Sequence, residues 1–448
     1  MIEAVDKVTS MINESRYISR DLSWLQFNYR VLDQARHLDR SLLERLKFIA
    51  ITASNLDEFF MIRVGSLYNY IDYNKERIDY SGLRELTFRK KLLTDSKEFV
   101  DQQNSYFAKK LRPLLDDQPF TIGRVSDLNE ENRKRAGKYF ERTIYPMLTP
   151  MAYDSYHTFP ILMNNRLIFG VVTKAQQDKD KKKNRKVSFI QIPKNLPRFF
   201  EIDQDQRHYF IPIEELIQTN IDVLFKNVDI LSVNLFRITR NGDFTLEESD
   251  DIEANFLAEL KQKLRTRKTG RVVRVEIYDK IDPWLKKLLN ERWELDDYNY
   301  FEVPSDSLMD LTCLWQVHNA PKLRGLLPPL PKPVQPVEVK IDEETDMFKL
   351  LSDRDGLLHH PYNSITPLIH LLEQAADDPD VLSIKITIYR LAKDSRVTAA
   401  LKKAAEQGKH VSVLFEVKAR FDEENNLREA ENMQKAGCYV IYGISSLK

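Results

Sequence analysis

The stretch from Val381 to Tyr442 constrains the fold most. Between Val381 and Arg390 the side chains alternate, with Leu382, Ile384, Ile386 and Ile388 set against Ser383, Lys385, Thr387 and Tyr389. A period of two marks a half-buried strand. Asp394 and Ser395 then offer caps for a helix running to about Gln407, and Gly408 ends it. Val411 to Val417 reads as a second strand, Asp422 as the cap of a second helix stopping at Gly437, and Cys438 to Tyr442 as a third strand. That order predicts a parallel sheet with right-handed crossovers. In open parallel sheets, ligands bind beyond the carboxyl ends of the strands. Arg390 falls at that end of the first strand, and Arg420 lies three residues past the second. The planar guanidinium fork matches phosphate oxygens two at a time, and helix N-termini near Asp394 and Asp422 add partial positive charge. The spacing thus points to a phosphate or polyanion site. It equally allows both arginines to pair with Asp394, Asp422, Glu423 or Glu424 as ordinary loop charges.

Upstream the chain changes character twice. Residues 17 to about 116 read as successive helices: Trp24, Phe27, Val31 and Ala35 recur at helical spacing, as do Leu42, Leu43, Leu46, Ile49 and Ala50. Ser54 with Asp57 reads as a capping box ahead of Phe59, Phe60 and Ile62. A charged helix is expected from about Leu83 to Leu111, stopping before Pro113. From about 117 to 327 the pattern mixes types. Leu167–Thr173 and Val187–Pro193 are expected strands around a Lys/Asp-rich tip. Val228–Arg240 is another strand, ending on Asn241-Gly242 as a hairpin turn, with a helix from about Asp250 to Arg267 and a strand from Arg271 to Ile277 after it. Five of the nine residues from Pro328 to Pro336 are proline, which predicts an extended, structureless boundary. The expected domains are therefore 1–116, all-α; 117–331, α+β; and 332–448, α/β. Three domains also suit 448 residues at roughly 150 residues each.

Composition removes several classes. A 42% hydrophobic fraction is enough for real cores and excludes wholesale disorder. With 68 Lys+Arg against 68 Asp+Glu, a histone-like polycation is excluded. Two cysteines, Cys313 and Cys438, cannot staple such a chain, and Met1 to Asp6 carries no basic n-region, so a cytoplasmic location is expected. No apolar run approaches the ~20 residues of a membrane helix. No Gly-x-x-x-x-Gly-Lys-Ser/Thr signature is present, no Cys/His spacing suggests zinc, and Ser445-Ser446 lacks a nucleophile-elbow context. Lys179, Lys181, Lys182, Lys183, Arg185 and Lys186 crowd one hairpin tip, which reads as a solvated turn or as a long-range guide for polyanions. Lys261, Lys263, Arg265, Arg267, Lys268, Arg271 and Arg274 suit a helix C-terminus. Neither cluster interleaves with aromatics, so a nucleic-acid partner is not expected. His359 and His360 before Pro361 read as a structural loop, a phosphate contact or a replacement nucleophile, and His410 opens a strand.

Tyr389-Arg390, Lys418-Ala419-Arg420-Phe421-Asp422-Glu423-Glu424-Asn425-Asn426, Ala436-Gly437 and Tyr442-Gly443 resemble the polyphosphate kinases that work through a phosphohistidine. So do Ser54-Asn55-Leu56-Asp57-Glu58-Phe59-Phe60, the segment Thr149-Pro150 to Asn165, Phe236-Arg237-Ile238-Thr239-Arg240-Asn241-Gly242-Asp243, the segment Asp310-Leu311 to Arg324, and His359-His360-Pro361-Tyr362. The resemblance runs collinearly along the whole chain. It implies an all-α N-terminal domain, an α+β head domain and an incomplete α/β domain of phospholipase D-like fold. It implies reversible transfer of the ATP γ-phosphoryl to inorganic polyphosphate, with ATP/ADP and polyphosphate as partners, Mg²⁺ as cofactor, and a homodimer or homotetramer. Asn55 matches an ATP-contacting asparagine, although by spacing alone it is a helix-start residue. Arg390 and Arg420 match positions assigned to the Mg²⁺ site. A guanidinium has no lone pair to give a cation, so these two are expected to clamp phosphate beside a metal-nucleotide. The phosphorylated histidine is implied two residues past the Leu447-Lys448 match, so the sequence is expected to be truncated and inactive alone. A nucleotide- or polyphosphate-binding module without turnover is the alternative, and a phospholipase D-like phosphodiesterase a weaker third.

Overall fold

The computed structural model describes residues 16–72, 85–154, 157–175, 185–242, 269–278, 280–329, 332–334, 341–342, 344–392, 395–416 and 423–443. The expected helix 250–267, Lys179 to Lys183, Lys261 to Lys268, Asp394, Arg420 and Asp422 lie outside those residues. The chain forms two compact units, Met1–Leu246 with Ala258–Pro328, and Glu247–Leu257 with Pro329–Lys448.

The first unit opens with helices α1 (Arg20–Arg36), α2 (Leu42–Phe59), α3 (Gly65–Asp72) and α4 (Glu85–Tyr106). Ser19 and Ser41 cap α1 and α2, accepting from the amides of Leu22 and Glu44 at 3.4 Å each. Ser54 is therefore no cap. It lies inside α2, and its hydroxyl donates to the Ala50 carbonyl at 3.0 Å. The apolar repeat that predicts α2 runs on through the motif, which overrides the local cap signal. A π-helical turn, Phe60–Val64, joins α2 to α3, and a second one, Phe107–Leu111, follows α4.

Strands β1 (Phe120–Ile122), β2 (Met151–Tyr153), β3 (Leu167–Ala175), β4 (Lys186–Gln191), β5 (Phe199–Gln204), β6 (Arg207–Pro212), β7 (Val228–Arg240), β8 (Val272–Tyr278) and β9 (Tyr300–Val303) complete this unit with helices α5 (Glu130–Tyr139), α6 (Ile213–Thr219), α7 (Pro283–Trp293) and α8 (Leu314–His318). Six strands make one sheet in the order β2-β4-β3-β7-β8-β9, and three make another, β1-β6-β5. Gly170 of β3 sits under α7, where an added Cβ would lie 2.8 Å from Leu285 Cδ2. Asn241-Gly242 does not close a hairpin. β7 pairs next with β8, which begins at Val272, while the Gly242 amide donates to the Met61 carbonyl at 2.8 Å. One apolar core runs from Leu25, Phe59 and Phe99 on the helices to Phe120, Phe210, Val273 and Phe301 on the strands.

The second unit holds α9 (Met347–Asp353), α10 (Thr366–Asp377), β10 (Ser383–Ile388), α11 (Arg396–Glu406), β11 (His410–Phe415), α12 (Glu423–Lys435) and β12 (Tyr439–Tyr442). Its sheet is parallel throughout in the order β10-β11-β12. Gly408 and Gly437, at φ +87° and +93°, end α11 and α12 in the left-handed conformation that favours glycine. The proline-rich stretch is not wholly structureless: the Val334 amide donates to the Tyr362 carbonyl at 2.9 Å.

Candidate functional site

In the second unit, β10 ends at Ile388, so Tyr389 and Arg390 stand on the carboxyl rim of the parallel sheet. The Arg390 guanidinium lies over the Tyr389 ring, 5.5 Å from its centroid. Asn426 in the first turns of α12 holds this rim together. It is fully buried, and its Nδ2 donates to the carbonyls of Tyr389, at 2.9 Å, and Glu416, at 3.1 Å. The Glu416 amide in turn donates to the Ile388 carbonyl at 2.8 Å. One side chain therefore ties the residues leaving β10 to those leaving β11. Glu416 and Glu423 are both buried beside it. Glu423 and Glu424 occupy the first turn of α12, so the positive end of that helix meets its own carboxylates. Ser395 precedes α11 but its side chain makes no capping bond. His359 and His360 are exposed in their loop, where the Asn363 side chain accepts from the His359 amide at 2.7 Å.

Replacing Asn426 by Ala should loosen this rim. The carbonyls of Tyr389 and Glu416 would each lose the Nδ2 donor, at about 1 kcal/mol per hydrogen bond removed. The expected result is faster hydrogen exchange at the Glu416 amide with the far end of the sheet unaffected. Exchange at the wild-type rate would mean that Asn426 does not hold the rim.

In the first unit, Asn55 projects from the penultimate turn of α2 and its Nδ2 donates to Asn28 Oδ1 at 3.0 Å. Asn28, fully buried on α1, donates to the Thr52 carbonyl at 3.3 Å, and Gln103 of α4 reaches Thr52 Oγ1 at 2.7 Å. Asn55 is thus the half-buried outer member of an amide chain linking three helices. It is a mid-helix residue rather than a helix start.

Two residues along, Asp57 enters a buried ionic network that spacing could not reveal. Arg237 of β7 donates through Nη1 to Asp57 Oδ1 at 2.8 Å and to Glu276 at 2.7 Å, and through Nη2 to Asp57 Oδ2. Arg274 of β8 also binds Asp57, lies 3.3 Å from Glu276 and donates to Thr239 Oγ1 at 2.8 Å. Its guanidinium sits 4.5 Å from the centre of the Phe60 ring. Arg198 extends the network to Asp310 at 2.6 Å and Glu214 at 3.2 Å. Burial raises the Asp310 carboxyl, but Arg237 and Arg198 more than reverse this and hold it well below the usual carboxylate range. Arg274 was legible only as one of a run of basic residues. In the fold it is 2% exposed and fully engaged, unlike Arg271, which pairs with Glu294 nearer the surface.

Three family models match the chain in order: the polyphosphate kinase N-terminal domain over residues 17–122, the middle domain over 131–317 and C-terminal domain 1 over 346–448. The chain belongs to the polyphosphate kinase family. It is 38% identical to a polyphosphate kinase of Bacillus cereus, across 98% of this chain and 62% of that protein. It is 36% identical to polyphosphate kinase 1 of Chlorobaculum tepidum, again across 98% of this chain and 62% of the relative. The crystal structure of polyphosphate kinase from Porphyromonas gingivalis superposes with a TM-score of 0.73 at 24% identity, covering 96% of this chain and 60% of that one. The chain therefore spans about three fifths of the length of these relatives. Its multidomain build of helices plus sheets is that of the polyphosphate kinase structure. No helix among the described residues is long and apolar enough to cross a membrane.

The resemblance implies Mg²⁺ as cofactor. Among the described residues no group of three or more His, Cys, Asp or Glu side chains could hold a metal ion. Arg390 offers only N–H donors. Mg²⁺ commonly travels on substrate phosphate oxygens, the form in which a guanidinium can meet it.

Proposed function

We propose that the protein this chain belongs to is an ATP:polyphosphate phosphotransferase working through a phosphohistidine. The single observation that carries the reading is the ordered match to three consecutive polyphosphate kinase models, which leaves few residues outside. In this reading residues 1–116, 117–331 and 332–448 are the helical, head and first phospholipase D-like domains. Asn55 contacts the nucleotide, its amide oriented by Asn28. Arg390 and Arg420 hold phosphate oxygens at the sheet rim, with Mg²⁺ carried on the nucleotide. A histidine nitrogen, implied two residues past Lys448, bonds to the γ-phosphorus as the bond to the β-phosphate oxygen breaks and ADP leaves. The terminal oxygen of polyphosphate then takes the phosphoryl group and frees the imidazole. The guanidiniums act by neutralising charge that builds on the transferring group's oxygens. The enzyme is a cytoplasmic homodimer or homotetramer.

The test is to express the complete reading frame, incubate it with γ-labelled ATP and polyphosphate, and follow label into polymer and into acid-labile phosphoprotein. Label in both is expected. Absence of a histidine codon just past Lys448, or no label in polymer, would overturn the reading.

A further inference from the structure

A cavity of about 270 Å³ opens in the first unit where the start of β3, the turn after β4 and the residue before β5 meet β7. Its charged lining is four cations, Arg166, Lys194, Arg198 and Arg237, against two carboxylates, Asp57 and Asp310, while Glu214 and Glu276 outside the lining also pair with Arg198 and Arg237. Both carboxylates are already engaged. Asp57 takes Arg237 and Arg274, while Asp310 takes Arg198 at 2.6 Å and the Thr312 amide at 3.0 Å. Arg166 and Lys194 form no ion pair among the described residues. Arg237 is only 3% exposed, yet its Nε has no partner, and neither has Nε of Arg198. Buried donors are rarely left unmade in a folded protein, and these two mark the cavity wall as rich in guanidinium N–H groups. Asn165 adds a third unpartnered polar atom, Oδ1, on an amide that presents either a donor or an acceptor when turned. Arg166 is held below its ordinary basicity by burial and then by the neighbouring Arg237, which Asp310 offsets only in part.

We propose that this cavity is a second anion site, taking phosphoryl groups of a condensed phosphate. A compact, multivalent anion that carries acceptors and no donors is what surplus cations and spare guanidinium N–H groups recognise. The volume falls just under the ~300–1,000 Å³ of drug-sized ligand pockets, which suits phosphoryl units rather than a whole nucleotide. Naming the anion as polyphosphate rests on the function proposed above. The site itself does not, because it uses none of Asn55, Arg390 and Arg420.

The experiment is calorimetric titration of the 448-residue chain at low salt with tripolyphosphate and, separately, orthophosphate, comparing wild type with Arg166→Gln/Lys194→Gln. Two lost charge-assisted contacts should weaken tripolyphosphate binding by about tenfold or more, with an unchanged melting temperature. Lys194→Gln alone, at an exposed residue, replaces the double variant if the latter misfolds, and a threefold loss is then expected. Tighter binding of tripolyphosphate than of orthophosphate supports the polymer as source, and equal binding supports free phosphate in the same site. No tripolyphosphate binding by wild type, or affinities within twofold between wild type and variant, overturns the proposal. Failure of phosphotransfer in the complete protein would defeat the proposed function and leave this binding result standing.

Discussion

Replacing Asp57 by Ala should destabilise the first unit by about 3–5 kcal/mol, the usual cost of breaking a buried ion pair by removing one partner. The reason is what stays behind. Arg237 and Arg274, 3% and 2% exposed, would lose the carboxylate that faces both of them. Glu276 would then serve both, with only the more distant Asp310, 4.0 Å from Arg237, to help. Urea denaturation followed through the first unit's fluorescence gives the measurement. Asp57→Asn preserves shape and should recover only part of the loss, because a neutral amide cannot balance two guanidiniums. Replacing Asp57, Arg237, Arg274 and Glu276 together by apolar residues of similar volume should cost far less than Asp57→Ala, since the paired charges leave as a set and Asp310 keeps Arg198. A loss below about 1 kcal/mol for Asp57→Ala would mean that water or Glu276 compensates fully.

The second large effect is on rate. In the protein expressed from the complete reading frame, Arg390→Ala is expected to lower phosphotransfer by about 10²-fold or more, the scale seen when a donor to a developing oxyanion is removed. Arg390→Lys should restore charge but not the two-pronged fork, and so should fall between. The rim position just past Ile388 and the resemblance at Tyr389-Arg390 both support this role. Stopped-flow assays in each direction provide the check, and a rate within threefold of wild type would remove Arg390 from the mechanism.

How far the sequence could be read depended on the kind of signal. The parallel sheet was legible because Ile384, Ile386 and Ile388 alternate with polar residues, and because Gly408 and Gly437 mark where helices must stop. β7 was legible from Val228 to Arg240 for the same reason. Local signals misled where tertiary context overruled them. Ser54 looked like a cap because its neighbours fit one, yet the helix had already begun at Leu42. Asn241-Gly242 looked like a hairpin turn, yet it docks on the Met61 carbonyl. The ionic network left no trace, since its members stand 180 and 217 residues apart and charged residues ordinarily read as surface. Asn426 sits inside a quoted motif, but nothing about an asparagine in sequence says that it bridges two strand ends.

That network also bears on how such a protein can be taken apart. Homology divides the first unit between residues 122 and 131, whereas its apolar core and its ties from Asp57 to β7 and β8 run straight across that seam. Evolutionary modules and the thermodynamic unit are therefore different objects here. Severing the chain at the seam would strand a carboxylate on one piece and two guanidiniums on the other, with raw apolar faces on both. A chimera that borrows its helical portion from a distant relative inherits only one half of a matched lock, and it will hold together when both halves travel as a set.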